Sequence, residues 1–497
     1  MQATGRQPQR APDGAPVHYE RHRPEQTTLY RHVLQHVATF FAQAEDAAGA
    51  DLPQFVKDEF DAFLECGILA HGFLRLRCGN CGHDKLVAFS CKRRGFCPSC
   101  GARRMAQTAA QLVDHVIFHV PVRQLVLSLP IPLRLLLDAQ PKLVTPVLPV
   151  VHRVITRHLL GQDGLKPEEA DSGAVTLIQR FGSAANLNIH LHCLVLDVVY
   201  RRSAEAAPEF VEAPAPTDEA LQSVSHKIIT RTMKLLTRRG VLVEEEGSTT
   251  MADNDGDSDE ARVLRPLQAA ACTYRIAFGP RAGQKVLTLQ GAMPRDADFK
   301  QSLCADIDGF SLHAAVRCGA NDRQALEQLC RYITRPALAN DRVQTNAAGQ
   351  VVLKLKTPWR DGTTHMVMSP LEFMQRLAAL VPRPKLHLIR FHGVLAPNAK
   401  LRAQVVPQEP APPAQATPPA ECEANCAHHR PVRLSWAKLL KRVFEIDMEH
   451  CPNCGGELRI IAAILEQPVI EKILTHLGLQ ARAPPRSPAR GQELQAA

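Results

Sequence analysis

Two histidines, His190 and His192, stand one residue apart in the apolar run Asn186-Leu-Asn-Ile-His-Leu-His-Cys-Leu-Val-Leu-Asp197. On a strand, successive side chains point to opposite faces, so both imidazoles share one face while Ile189, Leu191, Cys193 and Val195 fill the other. Burying two adjacent imidazoles without partners is costly. The pair therefore reads either as two ligands of a divalent ion or as hydrogen-bonded core histidines. Two ligands do not complete a site, and Gln179, on the preceding strand in Thr-Leu-Ile-Gln-Arg-Phe-Gly, is the candidate third.

Cysteines carry a second pattern. Cys78-x2-Cys81 and Cys97-x2-Cys100, with fifteen residues between the pairs, predict four thiolates around one zinc, each pair on a knuckle turn. Four thiolates close such a site and leave no position for catalysis, so this zinc is expected to be structural, with Cys91 as a spare. The total of fifteen cysteines is odd, and the pairs have metal spacing, not that of a disulfide framework, which points to a reducing compartment. Lys92, Arg93, Arg94, Arg103 and Arg104 surround the cluster and read as phosphate contacts or as a solvated basic surface. A further pair, Cys451-x2-Cys454, follows a basic amphipathic helix containing Lys438, Lys441 and Arg442. It is half a zinc site. Cys422, Cys426, His428, His429 or His450 are the candidate completions, alongside a metal shared by two chains and a metal-free knuckle.

A nucleophile has few places to sit if it is a tyrosine, because the chain has five, at positions 19, 30, 200, 274 and 332. Tyr332 lies near the end of the helix Ala-Leu-Glu-Gln-Leu-Cys-Arg-Tyr-Ile-Thr-Arg-Pro, between Arg331 and Arg335, which suit a phosphate. Taken alone, an aromatic on a helix is ordinary filler.

The elements that must position these groups follow from periodicity. A helical lead-in is expected at 1–65, a cysteine-rich segment at 66–116 and an α/β unit within 117–400, with strands expected at Ala174–Arg180 and Leu187–Val199 and a helix from about Asp322 to Thr334. Residues 201–270 read as an insertion whose acidic run, 244–260, holds eight acids and no base. Strands are expected at Thr273–Phe278 and Lys285–Leu289. A proline-rich linker, 401–430, precedes the C-terminal module, 431–480, and a tail, 481–497. With 45% hydrophobic residues the chain can bury several cores, and its net charge of +9 is concentrated between Arg75 and Arg104, where eight Lys or Arg face one acid, Asp84. The N-terminus lacks the apolar core of a secretory signal and the most apolar stretch is broken by prolines, histidines and arginines. A soluble, cytoplasmic chain with no membrane partner is expected.

Taken in order, CGNCGHDKLVAFSCKRRGFCPSCGARRM, LIQRFGSAANLNIHLHCLVLDVVY and LCRYITRPALA resemble the insertion sequence 91 family of transposases, within the HUH endonuclease superfamily, over about residues 60–400. The resemblance implies an antiparallel α+β core behind a zinc domain, and a His-hydrophobic-His motif at His190-Leu191-His192 holding Mg²⁺ or Mn²⁺. It further implies a bacterial, nucleoid-associated enzyme that nicks single-stranded DNA at element ends, keeps a 5′-phosphotyrosine on Tyr332, and moves by a rolling-circle-like route. Gln328 stands four residues before Tyr332, where some relatives carry a second tyrosine, so the chain resembles the single-tyrosine group. A homo-oligomer is one way a lone tyrosine could serve successive cleavages. A rolling-circle replication initiator and a non-enzymatic zinc DNA-binding protein are the alternatives.

Overall fold

The computed structural model describes residues 17–18, 21–202, 209–245, 248–251, 258–291, 302–406, 436–444 and 446–490. The expected completions Cys422, Cys426, His428 and His429, the prolines 407–419, and Asp253, Asp255 and Asp257 of the acidic run lie outside the described residues.

The lead-in is a helical pair. Thr27 caps α1 (Thr28–Ala48) by accepting from the Tyr30 amide, Gly49 ends it at φ 62°, and the stripe Leu29, Val33, Val37 and Phe40 is buried against α2 (Gln54–Glu65). Phe60 and Phe63 of α2 then pack on Phe96, with ring centroids 4.8 and 5.2 Å apart. This anchors the cysteine-rich segment, which consists of the hairpin β1 (Phe73–Cys78) and β2 (Asp84–Ala88) followed by α3 (Pro98–His115).

The core sheet has six strands: β3 (Val122–Ser128), β4 (Gly173–Phe181), β5 (Leu187–Leu196), β6 (Cys304–Ile307), β7 (Phe310–Cys318) and β8 (Ile389–Gly393). Their order is β6-β7-β3-β5-β4-β8 and every pairing is antiparallel. The expected α+β class is thereby met.

Helices complete the frame: α4 (Ile131–Ala139), α5 (Val144–Gln162), α6 (Asp218–Arg238), α7 (Asp259–Cys272), α8 (Arg323–Thr334), α9 (Pro370–Leu380) and the single turn α10 (Arg402–Val405). Leu194 and Leu196 of β5 share a core with α3 and α8, while Ile189, Leu191, Cys193 and Val195 share the larger core with α5, α6, α7 and α9. A strand covered on both faces explains the nearly unbroken apolar run of β5. Helices α6 and α7 of the 201–270 segment bury Leu221, Val224, Ile228, Val263, Leu264 and Leu267 in that larger core, so the described part of this segment is integral to the fold.

Two buried ion networks lock the strands. Asp197, just beyond β5, takes Arg123 of β3 in a bidentate pair at 2.9 and 3.1 Å and Arg317 of β7 at 2.8 Å. Asp138, at the end of α4, takes Arg180 of β4 and Gln268 of α7.

The strand expected at Thr273–Phe278 is absent: only an isolated bridge joins Arg275 to Lys285. The Gln375 side chain accepts from the Ala277 and Phe278 amides at 2.9 and 3.2 Å and donates to the Phe278 carbonyl at 3.0 Å. Gln375 thus takes up the Ala277 and Phe278 groups, while Tyr274 and Ile276 bond to the 283–286 backbone and the Arg275 amide to the Ala270 carbonyl, so no regular strand forms. The second strand forms at Leu287–Gln290 and joins an antiparallel sheet with Val343–Thr345, Val351–Lys354 and Thr363–Met368. Among the described residues no helix is long and apolar enough to cross a membrane.

Candidate functional site

The register of β4, β5 and β3 aligns Gln179, His190 and Ser128 across neighbouring strands, and Leu177, His192 and Val126 one step along. Directly paired residues project to the same face, so the alternation read from sequence puts both imidazoles on the α8 side of the sheet. The rings lie 4.8 Å apart, centroid to centroid. His190 Nδ1 donates to the Asn188 carbonyl at 2.9 Å, which fixes the tautomer and leaves its Nε2 lone pair free. His192 Nδ1 lies 2.7 Å from the Gln124 side-chain amide. As placed, the Gln124 amide nitrogen donates to Nδ1, which puts the neutral ring's proton on Nε2; a half-turn of that amide presents its oxygen instead, moves the proton to Nδ1 and frees Nε2 to ligate. His192 Nε2 is buried and makes no hydrogen bond. Burial lowers the His190 pKa to about 4, with Arg335 and Arg134 adding repulsion, and lowers that of His192 to about 3, with His190 and Arg335 adding to it. Both imidazoles are neutral at pH 7, the form that ligates a cation. An orphaned buried nitrogen beside a second free one fits a divalent ion. A hydrogen-bonded core pair would leave neither unmet.

Gln179 ties this face to the tyrosine. Its Nε2 donates to the Ile333 carbonyl at 2.6 Å, which leaves the side-chain oxygen as the atom available to a ligand. Helix α8 is capped by the Asp322 carboxylate, which accepts from the Ala325 amide, and it buries Leu326, Cys330 and Ile333. Tyr332 therefore falls at the edge of the buried stripe, 48% exposed, with Gln328 one turn earlier on the solvent side. Pro336 ends the helix, because the residue before a proline is disfavoured in the helical region: Arg335 turns to ψ 155°. Its guanidinium folds back to 4.5 Å from the centre of the Tyr332 ring. Lys356 Nζ sits 3.9 Å from the same centre. Burial, followed by the charges of Arg335 and Arg342, brings the Lys356 pKa down to about 8. Arg342 donates to the Lys354 and Ser183 carbonyls and joins this cationic group. Three cations, a phenol and two neutral imidazoles thus share one region, a setting suited to a phosphodiester. Lys356 and Arg342 carry no sequence signal, since each is an ordinary basic residue beside a strand. Arg331 is half-buried on α8, and the residue against the Tyr332 ring is Arg335.

The cysteines assort differently from the expected grouping. Cys78 and Cys81 do not share a cluster with Cys97 and Cys100. Instead Cys66, Cys91, Cys97 and Cys100 come together, and Cys78 and Cys81 meet Cys451 and Cys454, with ligand atoms in each group within 4.8 Å of one another. The reason is chain direction: β1 and β2 form a hairpin that carries the first knuckle away from α3, while α2 delivers Cys66 to the second. In the first cluster Cys66 and Cys97 stand 3.7 Å from each other and Cys91 and Cys100 3.3 Å, and the Cys91 and Lys92 amides donate to the Cys66 and Cys100 sulfurs. Cys91 is therefore no spare, and Cys66 is the member that sequence reading missed.

This cluster sits against the tyrosine helix. A Cβ built on Gly101 would lie 2.5 Å from the Cβ of Pro336, so only glycine permits this approach of α3 to the end of α8. The surrounding basic residues divide. Arg94 donates to the Leu386 and Arg383 carbonyls, Arg104 to the Lys92 and Arg93 carbonyls, and both are partly buried; these two tie loops together. Lys92 and Arg93 are exposed and Arg103 is partly so.

Two family models match the chain. Residues 33–129 match the family model of the insertion sequence 91 transposase zinc-binding domain, and residues 173–402 match the family model described as "Putative transposase". No curated protein and no solved structure matches. The first match spans six of the eight clustered cysteines, including all of Cys66, Cys91, Cys97 and Cys100, and supports structural zinc there; the second spans His190, His192, Tyr332 and Lys356, and a transposase acts on DNA by cleaving it. The chain belongs to the insertion sequence 91 family of transposases.

Proposed function

We propose that this transposase is an HUH-type enzyme that nicks and rejoins single-stranded DNA at element ends through Tyr332, in rolling-circle-like transposition. The observation that carries the reading is the single face shared by the neutral His190 and His192 and, through the Gln179 contact with Ile333 and the stacked Arg335, by Tyr332. His190 and His192, with Gln179 as third ligand, would hold Mg²⁺ or Mn²⁺, which when bound polarises the scissile phosphate. Arg335, Arg342 and Lys356 hold the phosphate oxygens and offset their growing charge. The Tyr332 phenolic oxygen bonds to phosphorus, the bond from phosphorus to the 3′-oxygen breaks, and that oxygen leaves as a 3′-hydroxyl after gaining a proton. The phenol proton passes to solvent. Because one phosphodiester replaces another, a later 3′-hydroxyl can reverse the step on a new strand without a nucleotide cofactor. Gln328 keeps Tyr332 as the sole tyrosine of its helix, so a second cleavage draws on regeneration of Tyr332 or on another protomer.

The chemistry of the ends tests this. A 5′-labelled single-stranded element end, incubated with protein and Mn²⁺, should release a labelled fragment that a polymerase extends without phosphatase treatment. A fragment that needs phosphatase first would mean that water or another group attacks on the opposite side, and the proposal would fail.

A further inference from the structure

We infer that the two ends of the chain close a second tetrathiolate zinc site, with Cys78 and Cys81 from the N-terminal hairpin and Cys451 and Cys454 from the C-terminal segment. Both matched family stretches stop short of Cys451, and Cys78 and Cys454 are 376 positions apart in sequence.

Sulfur spacing is the first argument. Cys78 and Cys454 stand 3.5 Å apart and Cys81 and Cys451 3.6 Å. A disulfide would need about 2.0 Å. Four sulfurs at about 2.3 Å from a tetrahedral ion lie roughly 3.8 Å from one another, close to what is seen.

The second argument is independent of the sulfurs. Each Cys-x2-Cys is followed by a glycine in the left-handed region, Gly82 and Gly455, both at φ 71°. The Gly82 amide donates to the Cys78 carbonyl and the Gly455 amide to that of Cys451; the Cys78 amide donates to the His83 carbonyl and the Cys451 amide to that of Gly456. Two segments unrelated in sequence position thus adopt one turn and face each other, the arrangement of paired metal knuckles. Gly456 completes the fit, because a Cβ there would lie 2.6 Å from Asn80 Nδ2 and 3.1 Å from Cys78 Sγ.

Backbone pairing brings the knuckles together. Strand β9 (Leu458–Ile464) pairs antiparallel with β1, Cys78 opposite Leu458, and α12 (Gln467–His476) buries Ile470 and Leu474 against Leu69 and Phe73. The apolar cluster at the site is small, Leu76, Cys78, Cys451 and Leu458, and a core of that size commonly relies on a metal. The same segment reaches the tyrosine helix: Arg442 of α11 (Trp436–Phe444) pairs with Asp114 of α3 and Glu327 of α8, and Leu439 packs on Ala106 and Ala110. The zinc would therefore clasp the C-terminal segment onto both the zinc domain and α8. All four ligands come from one chain, so neither a second copy nor Cys422, Cys426, His428, His429 or His450 is required.

Metal content of the full-length protein tests the clasp. Wild type should carry two zinc ions per chain, and C451S/C454S should carry one. After exchange with cadmium, the wild-type ¹¹³Cd spectrum should hold two tetrathiolate resonances, which needs no variant. One zinc per wild-type chain, a single resonance, or an unchanged count in C451S/C454S would overturn the inference. Activity does not enter the measurement, so it stands or falls apart from the proposed DNA chemistry.

Discussion

Alanine at His190 or at His192 is expected to lower divalent-ion-dependent cleavage of single-stranded DNA by roughly a thousandfold, the equivalent of about 4 kcal/mol of transition-state stabilisation. Either change removes one of the two Nε2 atoms proposed to hold the ion on this face of β5 while leaving the apolar opposite face intact. Mn²⁺ binding, followed by the electron paramagnetic resonance signal of the free ion, should weaken in parallel. Normal Mn²⁺ binding and cleavage in both variants would make the pair ordinary core histidines. The pH dependence has a definite sign. Both folded-state pKa values, about 4 and about 3, lie below the 6.5 of a free imidazole. The unfolded chain therefore takes up protons first: the pair's contribution to stability is fully present above pH 6.5 and is lost as the pH falls from there toward 4 and 3. An exposed pair would lose its ligating form through pH 6.5; this one keeps it to about pH 5, and Mn²⁺ affinity should be nearly flat between pH 7 and that value.

Asp197→Ala is expected to be the most destabilising single change in the sheet, by about 3–5 kcal/mol. The carboxylate is buried, and its removal leaves Arg123, itself 8% exposed, as an uncompensated charge between β3 and β5 and frees Arg317 on β7. These contacts sit at the far end of β5 from His190, so the loss should appear as a lower denaturation midpoint and not first as a lost metal site. Asp197→Ala with an unchanged midpoint in urea would show that the network adds nothing to the sheet. Asp197→Asn keeps the hydrogen-bond acceptor at one oxygen and should fall between the two.

Much of the site was legible in the sequence because strand alternation is a strict geometric rule. It put His190 and His192 on one face and assigned Ile189, Leu191, Cys193 and Val195 to the other, where they lie. Tyr332 stood out as the candidate nucleophile because the chain has five tyrosines and this one lies on a helix that Pro336 ends. The cysteine grouping was not legible, since any Cys-x2-Cys knuckle can face any other. The choice is made by the pairing of β1 with β9 across nearly the whole chain, which no local pattern reports. Single cysteines such as Cys66 and Cys91 look like spares until α2 and the loop before α3 converge. Glycine placement held a clue: Gly82 and Gly455 follow their knuckles alike, whereas Gly101 begins a helix and serves its approach to Pro336. The strand expected at Thr273–Phe278 failed for another reason, because Gln375, distant in sequence, takes the Ala277 and Phe278 groups and the α7 end takes the Arg275 amide, which leaves only Tyr274 and Ile276 to pair with 283–286.

The most direct test is a denaturing gel of the full-length protein after incubation with Mn²⁺ and single-stranded DNA carrying the element's ends, labelled on the 3′ side of the cleavage site. Wild type should retain label as a covalent adduct that protease treatment releases, and Tyr332→Phe should retain none while binding the same DNA. An adduct of undiminished yield in Tyr332→Phe would contradict the assignment of Tyr332 as the nucleophile.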